Sequence, residues 1–134
     1  HKNLPIGRVF SYSTLSHPHI TQNTESEALR RKGGYFYENA YIRWHDSNEQ
    51  FNVNEFIRAN CDYPGNWCGK VERIECLNHT VVTVTHVYSS DASFHVVSFF
   101  EIVDNKITSL DEYWGEDGDV PQWRKEKRIG KPIQ

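Results

Sequence analysis

Two carboxylates fall where acid–base chemistry could use them. Asp46 follows the β-rich run Ala40-Tyr41-Ile42-Arg43-Trp44-His45, and Glu112 lies within Leu110-Asp111-Glu112-Tyr113-Trp114. Period-two alternation puts Trp44 on the face of Asp46, and Thr108, Leu110 and Trp114 on the face of Glu112. If those faces line a cavity, desolvation raises the carboxyl pKa toward neutrality, which suits proton transfer. Asp46 and Glu112 are therefore the candidate catalytic residues. The competing reading makes Asp46 the cap of a turn with Ser47 and Asn48, and Glu112 a solvated strand charge.

Around them, Trp44, His45, His95, Ser98, Tyr113 and Trp114 are the candidates for lining a ligand pocket. His45 could shuttle a proton. As neighbours in a strand, however, His45 and Asp46 point to opposite faces. Tyr63 and Trp67 flank Pro64-Gly65 and suit either a lid or a packed loop. No metal is expected: none of the seven His has the i, i+4 spacing of a helical ligand pair, and the three Cys (Cys61, Cys68, Cys76) contain no C-x-x-C. The odd, unpaired cysteine set reads as reduced thiols in a cytoplasmic protein.

The elements that must position these residues divide into a helical first half and a strand-rich second half, which predicts an α+β domain. Thr24 and Glu27 have capping-box spacing, and Ala28, Leu29 and Phe36 could form a buried stripe, weakened by Gly33-Gly34. A stronger start is Asn52 with Glu55, where Phe51 and Phe56 occupy the staple positions and Pro64-Gly65 ends the helix. Ala40 to Asp46 reads as a short strand. Four more follow: Val71–Leu77, Thr80–Ser89, Ser93–Val103 and Lys106–Trp114. Their turns, Asn78-His79, Ser90-Asp91-Ala92 and Asp104-Asn105, are short enough to force an antiparallel meander. Phe94, Val96, Val97, Phe99 and Phe100 make the third of these strands apolar on both faces, hence central. In the charged tail, Pro121 could open a short helix through Trp123 to Glu126, with Trp123 anchoring the tail on the body.

A chain of 134 residues is one domain by length. With 13% aromatics it is too rich in core formers for a disordered chain. Fifteen basic against 18 acidic residues, a net charge of -3, do not point to nucleic acid. No stretch approaches the roughly 20 apolar residues that span a bilayer, so no membrane role is expected. The chain starts at His1 and has no Met, which suggests a processed, trimmed or incomplete N-terminus.

The segments "AYIRWHDSNEQF", "VNEFIRANCDYPGNW", "SFHVVSFFEIVDNKITSLDEYWG" and "PQWRKEKRIGKPI", in this order, resemble the SnoaL-like members of the nuclear transport factor two-like superfamily. The core match runs from 39 to 114, with 115–134 as a tail packed on the body of a single 1–134 domain. The resemblance implies a cone: a strongly bent antiparallel sheet wrapped around N-terminal helices, enclosing an apolar cavity, often in a homodimer. It places Asp46 where isomerase-like members carry a base and Glu112 where epoxide hydrolase-like members carry an acid. Ser98 stands where isomerase-like members have an acid, which speaks against that mechanism. Arg43 could supply part of the Asp-Arg-Asp set of the epoxide hydrolase pattern. The expected ligand is a small, largely apolar organic molecule, bound or converted without a cofactor by isomerase, hydrolase, dehydratase or cyclase chemistry. The alternative is a non-catalytic dimerisation or interaction module with a filled cavity.

Overall fold

The hairpins are set by a few residues that tolerate left-handed backbone. Asp104 and Asn105 take φ of 47° and 67°, the double positive φ of a type I′ turn, and Asn78 takes 54°. In the computed structural model, which describes residues 34–62 and 66–134, these turns join four long strands. The elements are β1 (Phe36–Trp44), β2 (Glu49–Phe51), α1 (Val53–Cys61), β3 (Cys68–Leu77), β4 (Thr80–Tyr88), β5 (Ser93–Val103), β6 (Lys106–Glu116) and α2 (Gln122–Lys127).

They form one six-stranded sheet in the order β2-β1-β6-β5-β4-β3, open at both edges among the described residues. The meander from β3 to β6 is antiparallel, as its short turns require. One pair departs from the antiparallel expectation. β1 runs parallel to β6, with Ile42 opposite Leu110 and Trp44 opposite Glu112. No hairpin joins these two strands, so nothing local dictates their direction. The architecture is the α+β arrangement expected, with a mixed sheet rather than a wholly antiparallel one.

Helix α1 starts as its capping box predicts. Asn52 Oδ1 accepts from the Glu55 amide at 2.8 Å, and Glu55 Oε1 accepts from the Asn52 amide at 2.9 Å. The helix buries Phe56 against β1, its ring 6.2 Å from that of Phe36 in an edge-on contact. Burying such a side chain stabilises the fold by about 1.5–3 kcal/mol. The face that receives α1 is the inner face, and it carries the core: Ile42, Val81, Phe100, Ile102, Ile107 and Leu110, each no more than 2% exposed.

Three expectations are corrected here. Phe36 belongs to β1, not to a helical stripe. It is buried opposite Ile107, and the aromatic run Tyr35-Phe36-Tyr37 after Gly33-Gly34 suits a strand. Thr108 does not simply share the face of Glu112: Glu101 pairs with Ser109 and Ile102 with Ile107, which leaves Thr108 as the extra residue of a bulge and turns Ile107 inward. Trp123 does not anchor the tail. It is 55% exposed, α2 buries none of its residues, and the Arg124 guanidinium lies 5.5 Å from the centre of its ring. The helix expected from Thr24 lies outside the described residues, as do Tyr63 and Pro64-Gly65 of the expected lid. No helix among the described residues is long and apolar enough to cross a membrane.

Candidate functional site

Strand pairing lines four inner-face side chains in one row. Trp44 of β1 stands opposite Glu112 of β6, Glu112 opposite Ser98 of β5, and Ser98 opposite Thr83 of β4. Because alternate residues of a strand share a face, this row is fixed once Leu110, Phe100 and Val81 are committed to the core one step along.

Glu112 is the centre of the row and is only 4% exposed. Its two oxygens are held from opposite sides. The Trp44 indole Nε1 donates to Oε1 at 3.0 Å, and Ser98 Oγ donates to Oε2 at 2.5 Å. Burial pushes the Glu112 carboxyl up to about 7; the Ser98, Trp44 and Trp114 side chains oppose that rise, and the charge of Asp46 adds to it. Desolvation wins because an ionised carboxylate in an apolar setting costs several kcal/mol that three neutral donors only partly offset. A carboxyl poised near neutrality can give or accept a proton with little free-energy change.

The surroundings are aromatic. Trp44 packs edge-on against Phe51, Phe56 and Trp114, with ring centres 4.8, 6.2 and 5.9 Å away. Beside Ser98, Thr83 is fully buried and its hydroxyl has no hydrogen-bond partner among the described residues. A buried hydroxyl without a partner costs about 1–3 kcal/mol. It is a polar group on this face with bonding capacity to spare.

The sequence-predicted site residues divide between two faces. Trp44, Ser98 and Trp114 join Glu112 on the inner face. His45, His95 and Tyr113 do not. His45 lies past the end of β1, its ring stacked on Tyr113 at 4.4 Å and its Nε2 2.7 Å from Asp111 Oδ1. Tyr113 is 47% exposed on the outer face. His95 is three residues from Ser98 and so faces the other way, against Asp117, whose hydrogen bond raises its pKa.

Asp46 is exposed in the turn after β1, and its Oδ1 accepts from the Trp114 amide at 3.3 Å. It touches the site through backbone and charge. Arg43 is exposed and bonded to Gln50 Oε1 at 3.0 Å, with its guanidinium over Tyr41. Sequence reasoning missed Thr83, which lay unmarked in the β-branched run of β4. Trp67, half-buried, packs against Phe94.

No protein-family model and no curated protein matches the sequence. Solved structures do match in shape. A candidate ketosteroid isomerase from Kribbella flavida superposes with a TM-score of 0.64 at 19% identity, over 83% of this chain and 91% of that one. A nuclear transport factor two-like protein of unknown function from Burkholderia xenovorans gives 0.65 at 16% identity, over 84% and 88%. A candidate SnoaL-like polyketide cyclase from a Jannaschia species gives 0.54 at 13% identity, over 66% and 70%. The chain therefore has the nuclear transport factor two-like fold seen in SnoaL-like proteins.

Proposed function

We propose that this domain binds a small, largely apolar organic molecule against the inner face of its sheet and converts it by cofactor-free acid–base chemistry at Glu112. One observation carries the reading: a buried glutamate, held by Trp44 and Ser98 in an aromatic setting, with its carboxyl near neutrality. Such a group is expensive to keep for stability alone. In this reading Glu112 moves the proton, Ser98 and Trp44 fix its two oxygens, and the unpartnered Thr83 hydroxyl bonds an oxygen of the ligand. Asp46, exposed in the turn after β1, tunes Glu112 by its charge. Two structural neighbours are named for ketosteroids and polyketides, oxygen-bearing compounds with apolar skeletons, which fits this division of roles. A thermal-shift screen against steroids, terpenoids, polyketide-like aromatics and fatty acids tests it. A ligand at 100 times its Kd adds about 2.7 kcal/mol of stability. A hit that Thr83→Val weakens supports the reading; silence across all four classes counts against it.

A second reading is supported by the outer face. Phe99 and Tyr113, on the central strands β5 and β6, are 38% and 47% exposed and meet edge-on at 6.0 Å. Aromatic residues in this position suit a homodimer or a protein partner rather than water. A gel-filtration mass of two chains that falls to one in Phe99→Lys would favour this role, and it is compatible with a ligand inside.

A further inference from the structure

Away from Glu112, on the outer face, β3, β4 and β5 bring together three residues that the acid–base reading does not use. His86 and His95 are direct cross-strand partners, their rings stacked at 4.8 Å and 9°. Glu72 reaches them because β3 is irregular. Val71 pairs with Thr85 and Arg73 with Val84, so Glu72 is the extra residue of a bulge, the device that re-aims a strand side chain. One ligand atom from each of Glu72, His86 and His95 lies within 4.8 Å of the other two.

We propose that Glu72, His86 and His95, backed by Asp117, form a binding site for a divalent transition-metal ion of the zinc type. His95 Nε2 is 3.0 Å from Glu72 Oε1, near the ~3.3 Å that separates two ligands of a tetrahedral zinc. The other nitrogen of the same ring, Nδ1, is 2.6 Å from Asp117 Oδ1. A carboxylate behind a histidine in this way fixes the tautomer that leaves Nε2 free for a metal. Asp117 is itself fixed, its Oδ2 accepting from Ser93 Oγ at 2.5 Å, and that hydroxyl lies 2.8 Å from His86 Nε2. His86 completes the set, offering a ring nitrogen that lies within 4.8 Å of the ligand atoms of both Glu72 and His95. Two imidazoles and one carboxylate are borderline ligands that favour zinc, cobalt or nickel over magnesium or calcium. The fourth position is left to water, and the site is separated from Glu112 by the thickness of the sheet.

Titrating the full chain with Zn²⁺ by calorimetry, and with Co²⁺ by visible absorption, tests the site. One saturable equivalent per chain is expected, with the absorption of four-coordinate cobalt and with no uptake of Mg²⁺. His86→Ala with His95→Ala should remove it, Glu72→Gln should weaken it, and Asp117→Asn should weaken it by roughly tenfold or more. The chain carries other histidines near its N-terminus, so a variant with His1→Ala, His17→Ala and His19→Ala is the control and should bind as the parent does. Binding that survives the His86 and His95 changes, binding lost in the N-terminal variant, or no saturable binding at all would overturn the proposal. Each replaced side chain is at least partly exposed, so the outer-face variants should remain folded, and a parent-like far-UV circular dichroism spectrum separates lost binding from lost fold.

Discussion

Ser98 and Glu112 face each other across the β5–β6 pair, hydroxyl to carboxyl at 2.5 Å, on the face that carries the core. The hydroxyl is the strongest of three groups that compete with burial for the protonation state of Glu112. That competition is the chemical content of the site.

Removing the hydroxyl should therefore act through Glu112. Ser98→Ala should destabilise the fold by about 1–3 kcal/mol at pH 8, where Glu112 is ionised and loses a donor. In Glu112→Gln the same change should cost less. Urea denaturation of the two single variants and the double variant gives the coupling, and losses that simply add would contradict the hydrogen bond's role.

Stability should fall as pH rises through neutrality. The folded-state pKa of Glu112, about 7, lies above its ordinary 4.5. The folded state thus holds its proton more tightly than the unfolded chain does. Below about pH 4.5 both states are protonated and the contribution is fully present; it is lost as pH rises through 7. At roughly 1.4 kcal/mol per unit the loss is on the order of 3 kcal/mol. Urea melts of parent and Glu112→Gln between pH 5 and 8 should show this slope in the parent and its removal in the variant.

Asp46 and Ser98 should move Glu112 in opposite directions. Asp46→Asn removes a nearby negative charge and should lower the Glu112 pKa, whereas Ser98→Ala removes a donor and should raise it. Asp46 is the smallest of the named influences, so its shift should also be the smaller. Equal and parallel shifts in a proton titration of the two variants would contradict this assignment.

The capping box of α1 should be measurable alone. Asn52→Ala deletes the acceptor of the Glu55 amide and should cost about 1 kcal/mol, read as a lowered midpoint with an unchanged denaturant slope.

Much of this was legible in the residues. Asn52 and Glu55 announced the helix start, and Asp104-Asn105 announced a hairpin, because both are local chemistry. The parallel pairing of β1 with β6 was not, since residues some seventy positions apart carry no periodic signal of their direction. The Thr108 bulge was hidden for a related reason: an extra residue in a strand shifts parity without changing composition. Glu112 was marked by alternation and by the family resemblance, but Thr83, two strands away in the same row, needed the register of three strands. The assignment of His95 and Ser98 to one pocket conflicted with alternation that could already be read, since three residues along a strand is a change of face. His86 and Glu72 do not show in the sequence as neighbours of His95, because side chains brought together across strands have no fixed spacing along the chain.

The central claim is that Glu112 keeps a proton in the folded protein near neutral pH. Carbon-13 labelling of the glutamate side chains, with the carboxyl shifts followed from pH 3 to 9, tests it directly. One carboxyl should titrate near 7, and that resonance should be missing in Glu112→Gln. If every glutamate of the parent titrates below pH 5, Glu112 is an ordinary carboxylate and the acid–base reading of the site is wrong.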